Sequence, residues 1–230
     1  TPLSFIRSAA LNESEEKIAQ HARDVLGLKP LWAATHQTWT AALDTLRHAI
    51  EGIGVLVVVN GIVGNNTHRK LDPQEFRGFV LIDEFAPLLF VNGADWKAAQ
   101  MFTLAHELAH LLLGESAAFD LKNAMPANNV MERKCDRIAA EFLVPRAALN
   151  DAWKGGDIND IIPKLAKTFK VSEIVIARRV LDLDYITKND FFNYYNTYLT
   201  KEKTAKEAKV SSGGDFYASQ KFRIGTSFGE

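Results

Sequence analysis

The sequence predicts an α+β fold in which a small sheet packs on one long buried helix and further helices flank the pair. Three observations lead there. Residues 96–113 are apolar around most of the helical circumference, the pattern of a segment enclosed by protein on all sides. Two short runs suited to strands, FVLI at 79–82 and LLFV at 88–91, directly precede it, and a third, VLVVV at 55–59, lies upstream. Segments with helical periodicity stand on both sides of this block.

Taken in order, residues 13–26 place Ile18, Ala22, Val25 and Leu26 at helical spacing and are closed by Gly27 and Pro30. A second helix is predicted over 39–51, ended by Gly52 and Gly54. The uninterrupted VLVVV run predicts a strand buried on both faces, and Asn60-Gly61 a turn. Residues 61–74, rich in Gly, Asn, His and Lys, predict a loop able to close over a site. The runs at 79–82 and 88–91 read as a hairpin, either roofing the core or offering a sheet edge to an extended peptide. Asn92-Gly93 and Asp95 supply the turn and cap of helix 96–113. Beyond Gly114 a loop with Asn123, Pro126, Asn128 and Asn129 leads into a helix over 130–151 that passes Pro145. Further helices are predicted at 158–169, 172–181 and 189–209, then a break, SSGG, at 211–214. The organisation expected is a helical segment at 1–50, a core domain at 51–183, and a C-terminal helix and tail at 184–230, a candidate regulatory segment.

With 27 basic and 28 acidic side chains in 230 residues, the chain carries no global field that would draw it to nucleic acid or an anionic membrane. Its single cysteine, Cys135, excludes an internal disulfide framework and suits a reducing compartment. No apolar run approaches the length needed to span a bilayer, and the first residues lack a signal-peptide pattern, so a soluble, cytoplasmic protein is expected.

The chemistry is concentrated in HELAH at 106–110. At ~100° per residue, His106 and His110 fall within about 40° of each other, and Glu107 lies on the flank. Burying two imidazoles and a carboxylate costs several kcal/mol unless each is paired or bound to a metal. The spacing is that of zinc metalloproteases, with two histidine ligands and the glutamate as general base. A catalytic zinc needs a third protein ligand, and the helix after the loop offers Glu132, Asp136 and Glu141. Its apolar stripe is Met131, Cys135, Ile138, Ala139 and Phe142. Glu132 and Asp136 share one shoulder of that stripe and Glu141 lies on the other. Glu132 is therefore assigned as ligand, and Asp136, one turn on, as the acceptor of a ligand histidine N–H. The competing role for Glu132 is a capping box with Asn129 as N-cap. Cys135 belongs to the stripe rather than to the ligand set.

FTLAHELAHLLLG at 102–114, followed by ERKCDRIAAEFLVP at 132–145, resembles the ImmA/IrrE family of bacterial zinc metallopeptidases. The likeness extends more weakly to Gly78, Phe79, Pro87, Val91 and Asn92. It implies a zincin-like metallopeptidase core, with Zn²⁺ held by His106, His110 and Glu132 and with Glu107 as base. It also implies a protein substrate, a DNA-binding repressor of helix-turn-helix type, cleaved in a DNA-damage, phage or other stress response. Cys135 departs from the family's usual small alanine and Asp136 from its common asparagine; neither change threatens metal binding. A helix-turn-helix pattern, present at the N-terminus of many relatives, is not found in residues 1–50.

The mechanism expected is attack by a water on the peptide carbonyl, with Glu107 taking its proton and passing it to the leaving amine. An oxyanion donor is expected but not identified; His68, Tyr185 and Tyr217 are candidates. Two other classes compete. One is a zinc-stabilised regulatory module that binds a repressor or toxin without cutting it. The other is a sensor of single-stranded DNA, stacking bases on Phe191, Phe192, Tyr194, Tyr195 and Tyr198 and clamping phosphates with Lys201, Lys203, Lys206 and Lys209. The ordinary account of those aromatics is the core face of a C-terminal helix.

Overall fold

The computed structural model describes residues 1–64, 66–114 and 129–208. Helix α1 (Glu15–Leu26) starts where the Ser14 side chain accepts from the Lys17 N–H, and ends at Gly27, whose left-handed backbone returns its N–H to Arg23 and Asp24. Thr38 caps α2 (Trp39–Gly52) in the same way, through the Ala41 N–H. A short 3-10 helix at Trp32–Thr35, not foreseen, lies between them and sets Trp32 against Phe142.

Strand β1 (Leu56–Asn60) runs parallel to the strand that directly precedes the histidine helix, an arrangement that needs the long connection 61–87. Two short strands lie in that connection, β2 (Ile62–Val63) and β3 (Asn66–Lys70), paired antiparallel in an exposed hairpin where a loop was expected. Residues 66–70 alternate no apolar side chains, so nothing in the pattern signals pairing that is made by backbone alone. The main sheet is completed by β4 (Gly78–Leu81), antiparallel to the central β5 (Leu88–Asn92), in the order β1-β5-β4. Val57, Val59, Val80, Leu89 and Val91 are buried on the face covered by helices. The opposite face carries Phe90 stacked on Phe79, with ring centroids 5.2 Å apart, and Phe76 beside both. β1 is thus buried on one face, not two: Leu56 and Val58 are only partly covered, because its neighbours on that side are these phenylalanines rather than a second layer of helices.

Helix α3 (Lys97–Leu113) lies across the sheet. Asp95 sits one residue before the position expected of a cap; it accepts from the Trp96 N–H, and Trp96 occupies the cap position itself. The other end is closed twice. Gly114, left-handed at φ 74°, donates to the His110 carbonyl, and the N-terminal segment crosses over so that the Arg7 and Ala9 N–H groups meet the Leu111 and Leu112 carbonyls at 3.0 Å. Arg7 lies so close that a Cβ at position 114 would come within 2.0 Å of its Cγ, so glycine is required there.

The single helix expected over 130–151 is two: α4 (Asn129–Leu143) and α5 (Arg146–Ala152). Pro145 divides them, lacking the N–H that would continue the ladder and biasing Val144 away from helical backbone. Glu141 stabilises the break by accepting from the Arg146 N–H, at 3.1 and 3.3 Å to its two oxygens, while pairing with Arg179. Arg23 of α1 reaches the Glu141 and Phe142 carbonyls, and Arg179 also donates to Val144. Helices α6 (Ile158–Phe169), α7 (Glu173–Asp182) and α8 (Lys188–Ala208) follow. Residues 115–128, with Asn123, Pro126 and Asn128, and the tail from Lys209 on lie outside the described residues, as do Asn65 and the side chains of Asn129 and 201–208.

The Glu141–Arg179 pair is buried, so removing one partner strands the other charge. Glu141→Ala is expected to lower unfolding free energy by about 3–5 kcal/mol in a urea titration. A loss below ~1 kcal/mol, the scale of an exposed pair, would mean that the node is not a structural pivot.

Candidate metal centre

One helical turn on α3 sets the His106 and His110 rings 4.9 Å apart, with their Nε2 atoms 3.1 Å from each other. Helix α4 packs against α3 along the predicted stripe, in which Met131, Cys135, Ile138, Ala139 and Phe142 are all buried. That packing fixes the rotation of α4 and delivers Glu132 to both rings. Its Oε2 is 3.1 Å from His106 Nε2 and its Oε1 3.4 Å from His110 Nε2. One turn later Asp136 Oδ1 accepts from His106 Nδ1 at 2.9 Å. His110 is buried, His106 nearly so, and Asp136 is open to solvent on its far side.

The electrostatics follow from this crowding. Burial, the largest influence on His106, disfavours its charged form, but hydrogen bonds to Asp136 and Glu132 outweigh it and hold the imidazolium up to about 10. Glu132 is held far below the ordinary carboxylate range by its hydrogen bonds to His106 and His110. Glu107 is raised by burial, which the neighbouring histidines only partly offset. Two imidazole nitrogens at 3.1 Å cannot both turn lone pairs inward unless a cation lies between them. Without a metal, the proton on His106 fills that role.

Two nitrogens and a carboxylate oxygen, all within 4.8 Å of one another, make a group that could hold a metal ion. Asp136 is placed to fix the ring that the ion would use.

Glu107 is buried on the same helix, and β4 passes directly above it. A Cβ on Gly78 would meet the Thr103 methyl at 2.4 Å, the Phe90 carbonyl at 2.7 Å and Glu107 Oε1 at 3.6 Å, so only glycine lets the strand lie this close. The roles of Gly78 and Thr103 were not read from sequence, and the single signal was a glycine opening a strand. Glu141, on the other shoulder, turns away to Arg179. Cys135 is buried in the stripe beside Met131.

The oxyanion candidates are not gathered here. Tyr185 stacks on Trp153 and donates to Asn150, His68 is exposed on β3, and Tyr217 lies outside the described residues. The aromatics of α8 are divided rather than forming one stacking face. Tyr194 is buried and donates to Glu173, Phe191 stacks on Tyr195, and Phe192 is exposed.

The sequence model of the IrrE N-terminal-like domain, Peptidase M78, matches residues 50–181. The chain belongs to this family. The matched span includes Gly78, Thr103, His106, Glu107, His110, Glu132, Asp136, Glu141 and Arg179. Among solved structures, a Mycobacterium tuberculosis transcriptional regulator is similar at 16% identity and a TM-score of 0.44, over 73% of this chain and 46% of that one. The chain thus spans about half the length of that protein. No curated protein matches.

Because His106 carries a proton until about pH 10 in the metal-free protein, loading a divalent ion at pH 7 should release about one proton per site, and apparent affinity should rise with pH. A pH-indicator titration reads the release, and zero release would contradict the bridged arrangement. Glu132→Ala should abolish stoichiometric metal retention, whereas Asp136→Ala should weaken it ~10–100-fold.

Proposed function

We propose that the chain is a zinc-dependent endopeptidase of zincin-like arrangement that cuts a specific intracellular protein. The observation that carries this reading is the convergence of His106, His110 and Glu132 one residue from a buried Glu107, within a Peptidase M78 domain. When bound, the zinc polarises the scissile carbonyl and acidifies a water molecule. Glu107 accepts the proton of the attacking water on its carboxylate and returns it to the departing amine nitrogen; burial suits it to this exchange by making its protonated form accessible. Asp136 holds the His106 ring by its Nδ1–H, so that Nε2 faces inward. β4 forms the sheet edge beside Glu107, and an extended peptide laid along it crosses the face of α3 that bears the carboxylate.

The substrate class best suited to the ImmA/IrrE pattern is a DNA-binding repressor, often of helix-turn-helix type, whose cleavage releases stress, DNA-damage or phage genes. Within this reading, residues 51–183 are the peptidase core, 1–50 support its helices, and 184–230 are a regulatory segment. No helix among the described residues is long and apolar enough to cross a membrane.

The decisive measurement separates a peptidase from a metal-stabilised binding module. Glu107→Gln should retain the metal and lose cleavage of the purified repressor by ~10² or more, and a chelator should stop the wild-type cut. Undiminished cleavage by the variant would remove Glu107 from the chemistry. Binding without any cut would favour the module.

A further inference from the structure

A second concave surface adjoins the metal centre. It is a groove of about 940 Å³ floored by α3 and α4 and walled by α6, α7 and α8. Asp136 belongs to both places. Phe102, on the groove floor, stands one turn before His106 on α3, and Arg133 directly follows Glu132 on α4. Its apolar surface includes Trp96, 44% exposed, together with Phe102, Ala140 and Val175.

The charges along the groove are unevenly satisfied. Each acidic side chain that lines it already has a partner: Asp95 faces Arg77, Asp136 holds His106, Glu173 accepts from Tyr194, and Asp182 pairs with Arg178. Arg133 and Lys167, both exposed, have no ion-pair partner among the described residues, and the nearest carboxylate to Arg137 is Glu15 at 4.0 Å. The surface offered to an occupant is therefore apolar at its floor and cationic at its rim.

We infer that this groove is a docking site for an acidic segment of the protein substrate, apolar side chains seated on the floor and carboxylates on Arg133 and Lys167. The identity of the occupant rests on the peptidase reading; the groove itself does not. A segment held there lies next to the carboxylate that orients His106, so docking and cutting share one chain. Four carboxylates interspersed among the lining residues, Asp95, Asp136, Glu173 and Asp182, suit a partner with a few spaced negative charges better than a nucleic acid strand with one at every residue.

The test uses the full chain carrying Glu107→Gln, so that nothing is cut. Fluorescence anisotropy follows two labelled short peptides with the same leucine and tryptophan positions, one with glutamates and the other with lysines between them, and a labelled oligothymidylate. The glutamate peptide should bind saturably and more weakly as salt rises. Arg133→Glu combined with Lys167→Glu should weaken it about tenfold or more, while the remote pair Lys29→Glu and Lys154→Glu, which makes the same charge change, should not. Four results would each overturn the inference: no saturable binding of the glutamate peptide, equal binding of both peptides, equal losses in the two double variants, or binding of oligothymidylate that the groove variant abolishes. Sedimentation adds a fifth, self-association lost in the same variant, which would assign the groove to a second copy of the chain. Because the readout is binding, failure of wild-type cleavage would sink the peptidase reading and leave this result standing.

Discussion

Three electron-rich groups meet where α3 and α4 cross, and their mutual repulsion unless a cation lies between them is the constraint on which the rest of the molecule depends. His106, His110 and Glu132 lie too close to coexist as neutral imidazoles and a bare carboxylate facing inward. In the metal-free state a proton on His106 resolves the conflict, braced from behind by Asp136. A metal ion held by the three groups would replace that proton with two positive charges.

That arrangement persists only if α4 keeps one rotation against α3. The apolar stripe from Met131 to Phe142 sets it, and the two shoulders of the stripe divide the carboxylates by task. Glu132 and Asp136 turn to the histidines, whereas Glu141 closes the break at Pro145 and holds Arg179. Arg23 ties α1 to the same corner by donating to the Glu141 and Phe142 carbonyls. The N-terminal segment adds its own brace by satisfying the last carbonyls of α3, so residues ahead of the family-matched span take part in holding the histidine helix still.

On the other side of α3 the sheet approaches through a missing side chain. Gly78 lets β4 lie against Thr103 and Glu107, and the phenylalanines on the outer face of the sheet stack to cover it. The carboxylate therefore sits between an edge strand and the paired histidines. The groove between α3, α4 and the C-terminal helices is lined by Phe102, a single turn before His106 on the same helix.

Much of this was legible in the chain. HELAH on an apolar helix gave His106, Glu107 and His110, because helical spacing alone decides which side chains share a face. The wheel of the next helix separated Glu132 and Asp136 from Glu141 for the same reason. Gly27 announced the end of α1 through local backbone chemistry, whereas the caps at Ser14 and Thr38 came only with the structure. Long-range pairing was not legible. The parallel match of β1 with β5, the pairing of β2 with β3, the crossing of Arg7 over Gly114 and the ion pair of Glu141 with Arg179 join residues whose separation in sequence carries no periodicity. Sequence by itself determined which residues form a group that could hold a metal ion and which helical face each occupies, since those follow from 3.6 residues per turn. Tertiary structure alone decided that two such faces meet, that a glycine admits the edge strand, and that a cationic groove opens beside them, since these depend on how distant surfaces fit.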